Sequence, residues 1–170
     1  MDQLIPVVGT MALLGSALVG GIFFAFSSFI MKALAGVPSA EGIGAMQSIN
    51  VVVINPSFLG AFFGTAVLSL VAGGLALAGW GSPSASFFLG GALFYLVGTI
   101  LVTMLGNIPV KDRLAAVSPT DPVARDLWEH YQGRWTRWNH VRTTAAMFAA
   151  LLFTLGLFQN GGPRSGAAPG

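Results

Sequence analysis

The residues best suited to chemistry in this chain lie in one decapeptide, RWTRWNHVRT, at positions 134–143. An imidazole can exchange a proton near neutral pH, a guanidinium carries a permanent charge, and an amide donates hydrogen bonds. The decapeptide opens the last hydrophobic stretch, and no Asp, Glu, Lys or Arg occurs between Glu41 and Lys111. So many polar groups at a hydrophobic boundary indicate catalysis, ligand binding or a membrane anchor.

The composition is that of an integral membrane protein. Of the 170 residues, 54% are hydrophobic and only 8% are charged, whereas soluble domains carry about 25% charged residues. About 20 apolar residues cross a bilayer core as a helix, which satisfies its own backbone hydrogen bonds. The predicted fold class is therefore all-α, a four-transmembrane-helix bundle.

Four spans can be drawn, and they form one domain over residues 1–160 that is followed by a flexible tail, 161–170. The predicted spans cover about residues 4–31, 56–79, 86–106 and 141–158. Asn55 and Pro56 suit a helix start, as cap and first residue. The fourth span is short and is expected to continue back into the decapeptide. Small residues predicted to pack between helices are Ser16 and Gly20, Gly60 and Gly64, and Gly91 and Gly98.

Two loops are predicted to carry structure of their own. Residues 39–54 are expected to form a helix or re-entrant segment near the membrane interface. Asp121 and Pro122 suit the start of another helix. Apolar side chains recur every four residues after it, at Val123, Leu127, Tyr131 and Trp135. The pattern predicts an interfacial amphipathic helix before the last span, with Gly133 as the turn into that span.

The basic residues predict an orientation. Lys32 and the basic residues from Lys111 to Arg142 all fall on one side of the predicted bundle, and the opposite side has only Arg164. By the positive-inside rule the two long polar loops face the cytoplasm and both termini lie outside the cell membrane. Lipid is thus the expected environment. No basic face remains for nucleic acid, and self-association into a homo-oligomer is left open.

Four segments of the chain carry a resemblance to a known family. They are residues 29–34 (FIMKAL), 44–50 (GAMQSIN), 55–56 (NP) and 134–143, with the Trp-Asn-His-x-Arg core as the most specific part. Together they resemble the anthrone-oxygenase-like family of small four-span membrane proteins, over roughly residues 10–158. The resemblance implies oxidation of an anthrone-like aromatic by O2, with no organic cofactor.

Such a reaction begins with loss of a proton beside a carbonyl, and it needs a base, donors for the oxyanion and a dry aromatic slot. His140 is the predicted base, and Asn139 and Arg142 are predicted to stabilise the oxyanion. On a straight helix Asn139 and Arg142 share a face with both tryptophans, while His140 lies on its flank. The residues expected to bind the substrate are Phe26, Gln47, Asn50, Asn107, Trp135 and Trp138.

Other interpretations stay open. Trp135 and Arg134 are typical of interfacial anchors. Arg142 needs a partner inside a span, for which Glu129 and Asp126 are candidates. A metal held by His130, His140 and Glu129 is a weaker alternative, because a spacing of ten matches no standard site, and the chain has no cysteine. The protein is either a membrane oxygenase or a non-catalytic accessory subunit or lipophilic-ligand binder whose polar cluster is structural.

Overall fold

The computed structural model describes residues 4–161 and contains four helices long and apolar enough to cross a membrane. The protein is therefore a multi-pass membrane protein with an all-α fold. A fifth, shorter helix follows the first span. The helices, numbered in chain order, are α1 Leu4–Ala35, α2 Ser39–Val52, α3 Pro56–Ala78, α4 Ala85–Ala115 and α5 Ala124–Gly161.

The four long helices form a closed bundle. Helix α1 packs against α5 and α3, and α4 packs against α3 and α5. One core cluster fills the bundle, with Phe23, Tyr95 and Phe153 among its buried rings. A second cluster joins α2 to the end of α4 and the start of α5, through Met46 and Trp128. Helix α2 therefore covers one end of the bundle, which we call the α2 end.

Local signals account for several helix ends. The Asn55 side chain accepts a hydrogen bond from the Phe58 backbone N–H at 3.0 Å, which caps α3 as predicted. The Asp121 side chain accepts one from the Val123 N–H at 2.9 Å just before α5 begins. The turn between α3 and α4 contains Gly81 at a φ of +108°, a conformation that favours glycine.

Helix α4 does not end where the sequence predicts. It continues through Asn107 and Pro109 to Ala115, although a proline inside an α-helix removes a hydrogen bond and often ends the helix. The helix is π-helical over Phe94–Leu101 and again over Thr103–Asn107, which ends two residues before the proline. The change in hydrogen-bond register therefore occurs there, and the chain stays helical beyond it. A further π turn, Phe26–Ile30, lies in α1 at the same end of the bundle.

The separate amphipathic helix is not observed. Helix α5 continues unbroken through Gly133, because a glycine in a helix costs only about 1 kcal/mol and both flanking segments are packed. The buried stripe follows Ala124, Trp128, Tyr131 and Trp135, whereas Val123 is exposed. At about 1.5 Å per residue, a helix of this length exceeds the roughly 30 Å of a bilayer core, and its first turns pack against α2.

The predicted small-residue contacts hold in two helices and fail in a third. A Cβ added at Gly91 would lie 2.8 Å from the Phe153 ring, and Ser16 is fully buried. Around Gly60 and Gly64 there is open space, because α3 turns its Thr65 and Ser69 face into the bundle. Within the described chain, the face of α3 that carries this GxxxG pattern therefore packs against no other helix.

The contrast between two glycines predicts a difference in stability. Gly91→Ala is expected to lower the free energy of unfolding by about 1–3 kcal/mol, because the aromatic ring behind it has no room to move. Gly64→Ala should be neutral or stabilise by up to about 1 kcal/mol through helix propensity. Thermal unfolding of both variants in detergent measures the difference. A destabilised Gly64→Ala variant would show that another surface covers this face of α3.

Candidate functional site

A pocket of about 260 Å³ lies at the α2 end of the bundle, in contact with all five helices. Its walls are mainly aromatic and aliphatic. The side chains that line it are Ile22, Phe23, Phe26, Met46, Ile49, Asn50, Val53, Ile54, Phe58, Leu59, Phe62, Phe63, Thr103, Asn107, Ile108, Lys111, Trp135 and Arg142. This volume is just below the range of drug-sized ligand sites, about 300–1,000 Å³, and it suits a flat molecule of two or three fused rings.

Both π turns at this end of the bundle contribute to the pocket. The turn in α1 begins at Phe26, and the turn in α4 contains Thr103 and Asn107, which are four residues apart on one face. A π turn widens the helix locally, and such turns are frequent at functional sites. Helices α1 and α4 therefore each have a π-helical turn where they line the pocket.

The pocket contains a buried charged group, the guanidinium of Arg142, which is only 7% exposed. Its Nε donates to the Asn139 side-chain oxygen at 2.9 Å, and its Nη1 donates to the Thr103 hydroxyl at 3.4 Å. Its Cζ lies 3.9 Å from the centre of the Phe23 ring and 5.1 Å from that of Trp135. Two rings and two hydrogen bonds thus hold the charge at the pocket wall.

No carboxylate in the described part of the chain forms an ion pair with this guanidinium. Among residues 4–161 the one ion pair joins Lys111 to Asp112. The predicted pairing of Arg142 with Glu129 or Asp126 is wrong, because the same helix holds all three and a separation of 13 residues is about 20 Å. A buried guanidinium normally needs a partner. The two hydrogen bonds above leave its remaining N–H groups available to a ligand in the pocket.

Asn139 fixes the position of the guanidinium. It is fully buried, and its Nδ2 donates to the Phe23 backbone oxygen and to the Ser27 hydroxyl, both at 2.7 Å. With both N–H groups used on α1, its oxygen is directed at Arg142. Asn139 therefore lies behind the arginine and does not line the pocket itself.

Asn107 presents an unused acceptor to the pocket. Its Nδ2 donates to the Trp135 backbone oxygen at 3.2 Å, while its buried Oδ1 has no hydrogen-bond partner. The Tyr131 ring stacks between Trp128 and Trp135, and Trp135 lines the pocket. Buried polar atoms are rarely left unpaired, so the unused oxygen of Asn107 points to a ligand that carries a hydrogen-bond donor.

The structure brings together five of the nine residues predicted for the site. Those that line the pocket are Phe26, Asn50, Asn107, Trp135 and Arg142. Gln47 instead donates to the backbone oxygens of Leu114 and Val117, at 2.8 and 3.0 Å, and so ties α2 to the end of α4.

His140 and Trp138 point away from the pocket. His140 is exposed, because position 139 faces the core and the next residue is rotated by about 100°. Trp138 is 37% exposed, packs on Gly106 and forms a surface groove with Arg134, Arg137 and Val141. The geometry therefore gives no support to His140 as a base in this pocket.

His130 also lies outside the pocket, exposed on the surface of α5, with its Nδ1 2.9 Å from the Asp126 backbone oxygen. Within the described chain, no group of three or more His, Cys, Asp or Glu residues is arranged to hold a metal ion. The suggested set of His130, His140 and Glu129 is thus not assembled there.

Sequence reasoning missed part of the pocket. Phe58 and Phe62 stack at 5.8 Å between ring centres in the first turns of α3, and Thr103 binds the arginine. The signals were present, since the Asn55 cap places two aromatic residues four apart, and Thr103 precedes Asn107 by four residues. Neither signal shows which face of its helix turns inward.

A family model described as anthrone oxygenase matches residues 58–152, which is more than half of the chain. The chain belongs to the anthrone oxygenase family. The matched segment includes the pocket residues of α3, α4 and α5, with Arg142 among them. Searches of curated proteins and of solved structures found no match.

Proposed function

We propose that this anthrone-oxygenase-like membrane protein oxidises a hydrophobic aromatic ketone of the anthrone type with O2. The observation that carries the proposal is the buried guanidinium of Arg142, which has no carboxylate partner among residues 4–161 and lines a mainly apolar pocket. A charge held in this way stabilises an oxyanion far better than water does, because it is preorganised in a medium of low dielectric constant.

The substrate chemistry matches this arrangement. When the methylene of an anthrone loses a proton, the electron pair moves onto the ketone oxygen and the central ring becomes aromatic. We place that oxygen against Arg142, with the flat ring system between Phe23, Phe62 and Trp135. The unused oxygen of Asn107 then accepts a hydrogen bond from a hydroxyl on the substrate, where one is present.

The anion is the species that reacts with O2. Over the whole reaction, the methylene carbon loses two hydrogens and gains one oxygen atom as a carbonyl, while the second oxygen atom leaves as water. O2 supplies the full oxidising power, so we propose no resident cofactor. The proton passes to solvent at the rim of the pocket, near the partly exposed Lys111.

Oxygen uptake by the purified protein tests the proposed function. With anthrone as substrate we expect one O2 consumed per anthraquinone formed, and label from ¹⁸O2 in the new carbonyl. The same protein denatured by heat serves as the control for spontaneous oxidation. Anthrone binding with no oxygen uptake above that control would contradict the oxygenase.

A second candidate is a non-catalytic carrier of lipophilic acids. It is favoured by the absence of His, Asp and Glu from the lining of the pocket, which leaves a cationic aromatic site without an obvious base. In that case the stable phenolate of a hydroxyanthraquinone would bind as tightly as the anthrone, and neither would change chemically.

The variant His140→Ala tests whether the reaction depends on His140 or only on the residues that line the pocket. Because His140 is exposed and does not line the pocket, we expect the variant to keep its turnover within about twofold. The measurement is the initial rate of anthraquinone formation. A fall of about 10²–10⁴-fold, the usual loss for a general base, would return His140 to the role that the sequence predicts.

We propose that the α2 end faces the cytoplasm, because Lys32, Lys111, Arg113, Arg125, Arg134 and Arg137 all lie there. Single cysteines at exposed Ser82, in the turn between α3 and α4, and at Ser118, between α4 and α5, test this orientation. An impermeant maleimide should label Ser82→Cys in intact cells, and Ser118→Cys only after lysis. The reverse labelling would invert the orientation.

A further inference from the structure

The pocket has an apolar side opening where α3 and α4 separate. Helix α3 packs against α4 over residues 85–101, and the two helices diverge beyond that point. The start of α3 and the end of α4 then contribute opposite walls of the pocket, through Phe58 to Phe63 on one side and Thr103 to Lys111 on the other. A gap between two membrane-spanning helices faces the bilayer.

Phe63, Ile108 and Ile54 form an exposed, hydrophobic part of the rim of this gap, and the charged Lys111 lines the pocket three residues beyond Ile108. Phe63 is 53% exposed and Ile108 is 41% exposed, and both also line the pocket. Ile54, at the link between α2 and α3, is 60% exposed and completes this part of the rim. Exposing these apolar side chains to water costs free energy, whereas exposing them to lipid chains does not. Arg142, by contrast, lines the pocket but is buried.

We infer that the ligand enters and leaves sideways, from the bilayer, through the α3–α4 gap lined by Phe63 and Ile108. This inference rests on the proposed function and adds a restriction on the substrate. The molecule that crosses an apolar rim is neutral and dissolved in lipid, and it becomes an anion only when its oxygen reaches Arg142. Water-soluble, permanently charged aromatics of the same size are excluded at the rim.

A removable bridge across the gap tests this route. The chain has no cysteine of its own, so Phe63→Cys and Ile108→Cys together introduce the only two thiols. A bifunctional methanethiosulfonate reagent links them, and a reducing agent removes the link. Both positions are exposed at the rim and also line the pocket, so every rate is compared within the double variant, before bridging, after bridging and after reduction.

The readout is the rate at which anthrone, delivered from donor phosphatidylcholine vesicles, quenches the tryptophan fluorescence of the reconstituted protein. Bridging should slow association at least about tenfold, as expected when an access path is gated, and reduction should restore it. Dissociation should slow as well, because the ligand leaves by the same path. A control pair, Leu70→Cys and Val97→Cys, lies on exposed faces of α3 and α4 away from the pocket, and reaction with the same reagent should leave the rates unaltered.

Each failure has a distinct result. If the bridged protein binds anthrone as fast as the reduced protein, the ligand enters by another path and the inference is wrong, while the proposed function stands. If neither the bridged nor the wild-type protein binds anthrone, the proposed function fails and the entry route fails with it.

Discussion

Replacing Arg142 with glutamine is expected to lower the turnover of anthrone by about 10²–10³-fold, the usual effect of removing one preorganised oxyanion donor. Glutamine can still donate a hydrogen bond to Asn139, but it brings no charge to the pocket. The loss should appear in kcat as well as in kcat/KM, because the negative charge on the ketone oxygen develops only as the proton leaves. Initial rates of anthraquinone formation over a range of anthrone concentrations measure it.

The same variant should fold at least as well as the wild type. Removing one partner of a buried ion pair is strongly destabilising, but within residues 4–161 Arg142 has no carboxylate partner that its loss would leave unpaired. Removal of an unpaired buried charge should therefore leave the midpoint of thermal unfolding unchanged or raise it. Arg137→Gln, an exposed arginine on the same helix outside the pocket, is the matched control and should keep its activity. Full activity in Arg142→Gln would rule out the electrostatic role proposed for this residue.

Replacing Asn139 with leucine should affect stability and turnover together. The fully buried amide joins the Phe23 backbone oxygen and the Ser27 hydroxyl of α1 to Arg142 of α5. Leaving such groups unpaired costs about 1–3 kcal/mol, measured as a lower midpoint of thermal unfolding. Turnover should fall about tenfold, because the guanidinium loses the hydrogen bond that orients it.

Thr143→Val provides the comparison for Asn139. Its hydroxyl donates to the Asn139 backbone oxygen at 2.7 Å and lies 3.2 Å from the Ser27 hydroxyl, whereas the Arg142 side chain bonds to Asn139 and Thr103. The valine variant should therefore show a smaller loss of stability and an unchanged turnover. Equal losses of turnover in both variants would indicate that the rate depends on general stability and not on the position of the guanidinium.

The elements of the fold were largely predictable because each has a local cause. Uninterrupted apolar stretches predict the spans, and Asn55 before Pro56 predicts the start of α3. The errors fall where local rules compete with packing. The third span is predicted to end near residue 106, but α4 passes through π-helical turns and continues beyond Pro109 to Ala115. Gly133 is predicted to be a turn, but the packing of Tyr131 and Trp135 keeps the chain helical there.

The sequence identified the segments that carry the polar and aromatic residues of the site, but it did not show which of these side chains face the pocket. The sequence alone determines that this is a membrane protein, because long stretches of it carry no charge. It also determines that the polar residues able to form a site lie in a few short segments between or at the ends of those stretches. Only the tertiary structure decides that Arg142 faces the pocket, that Asn139 orients it and that His140 faces outward. The reason is geometric: neighbouring residues on a helix point about 100° apart, and the face that turns inward is set by the helices packed around it.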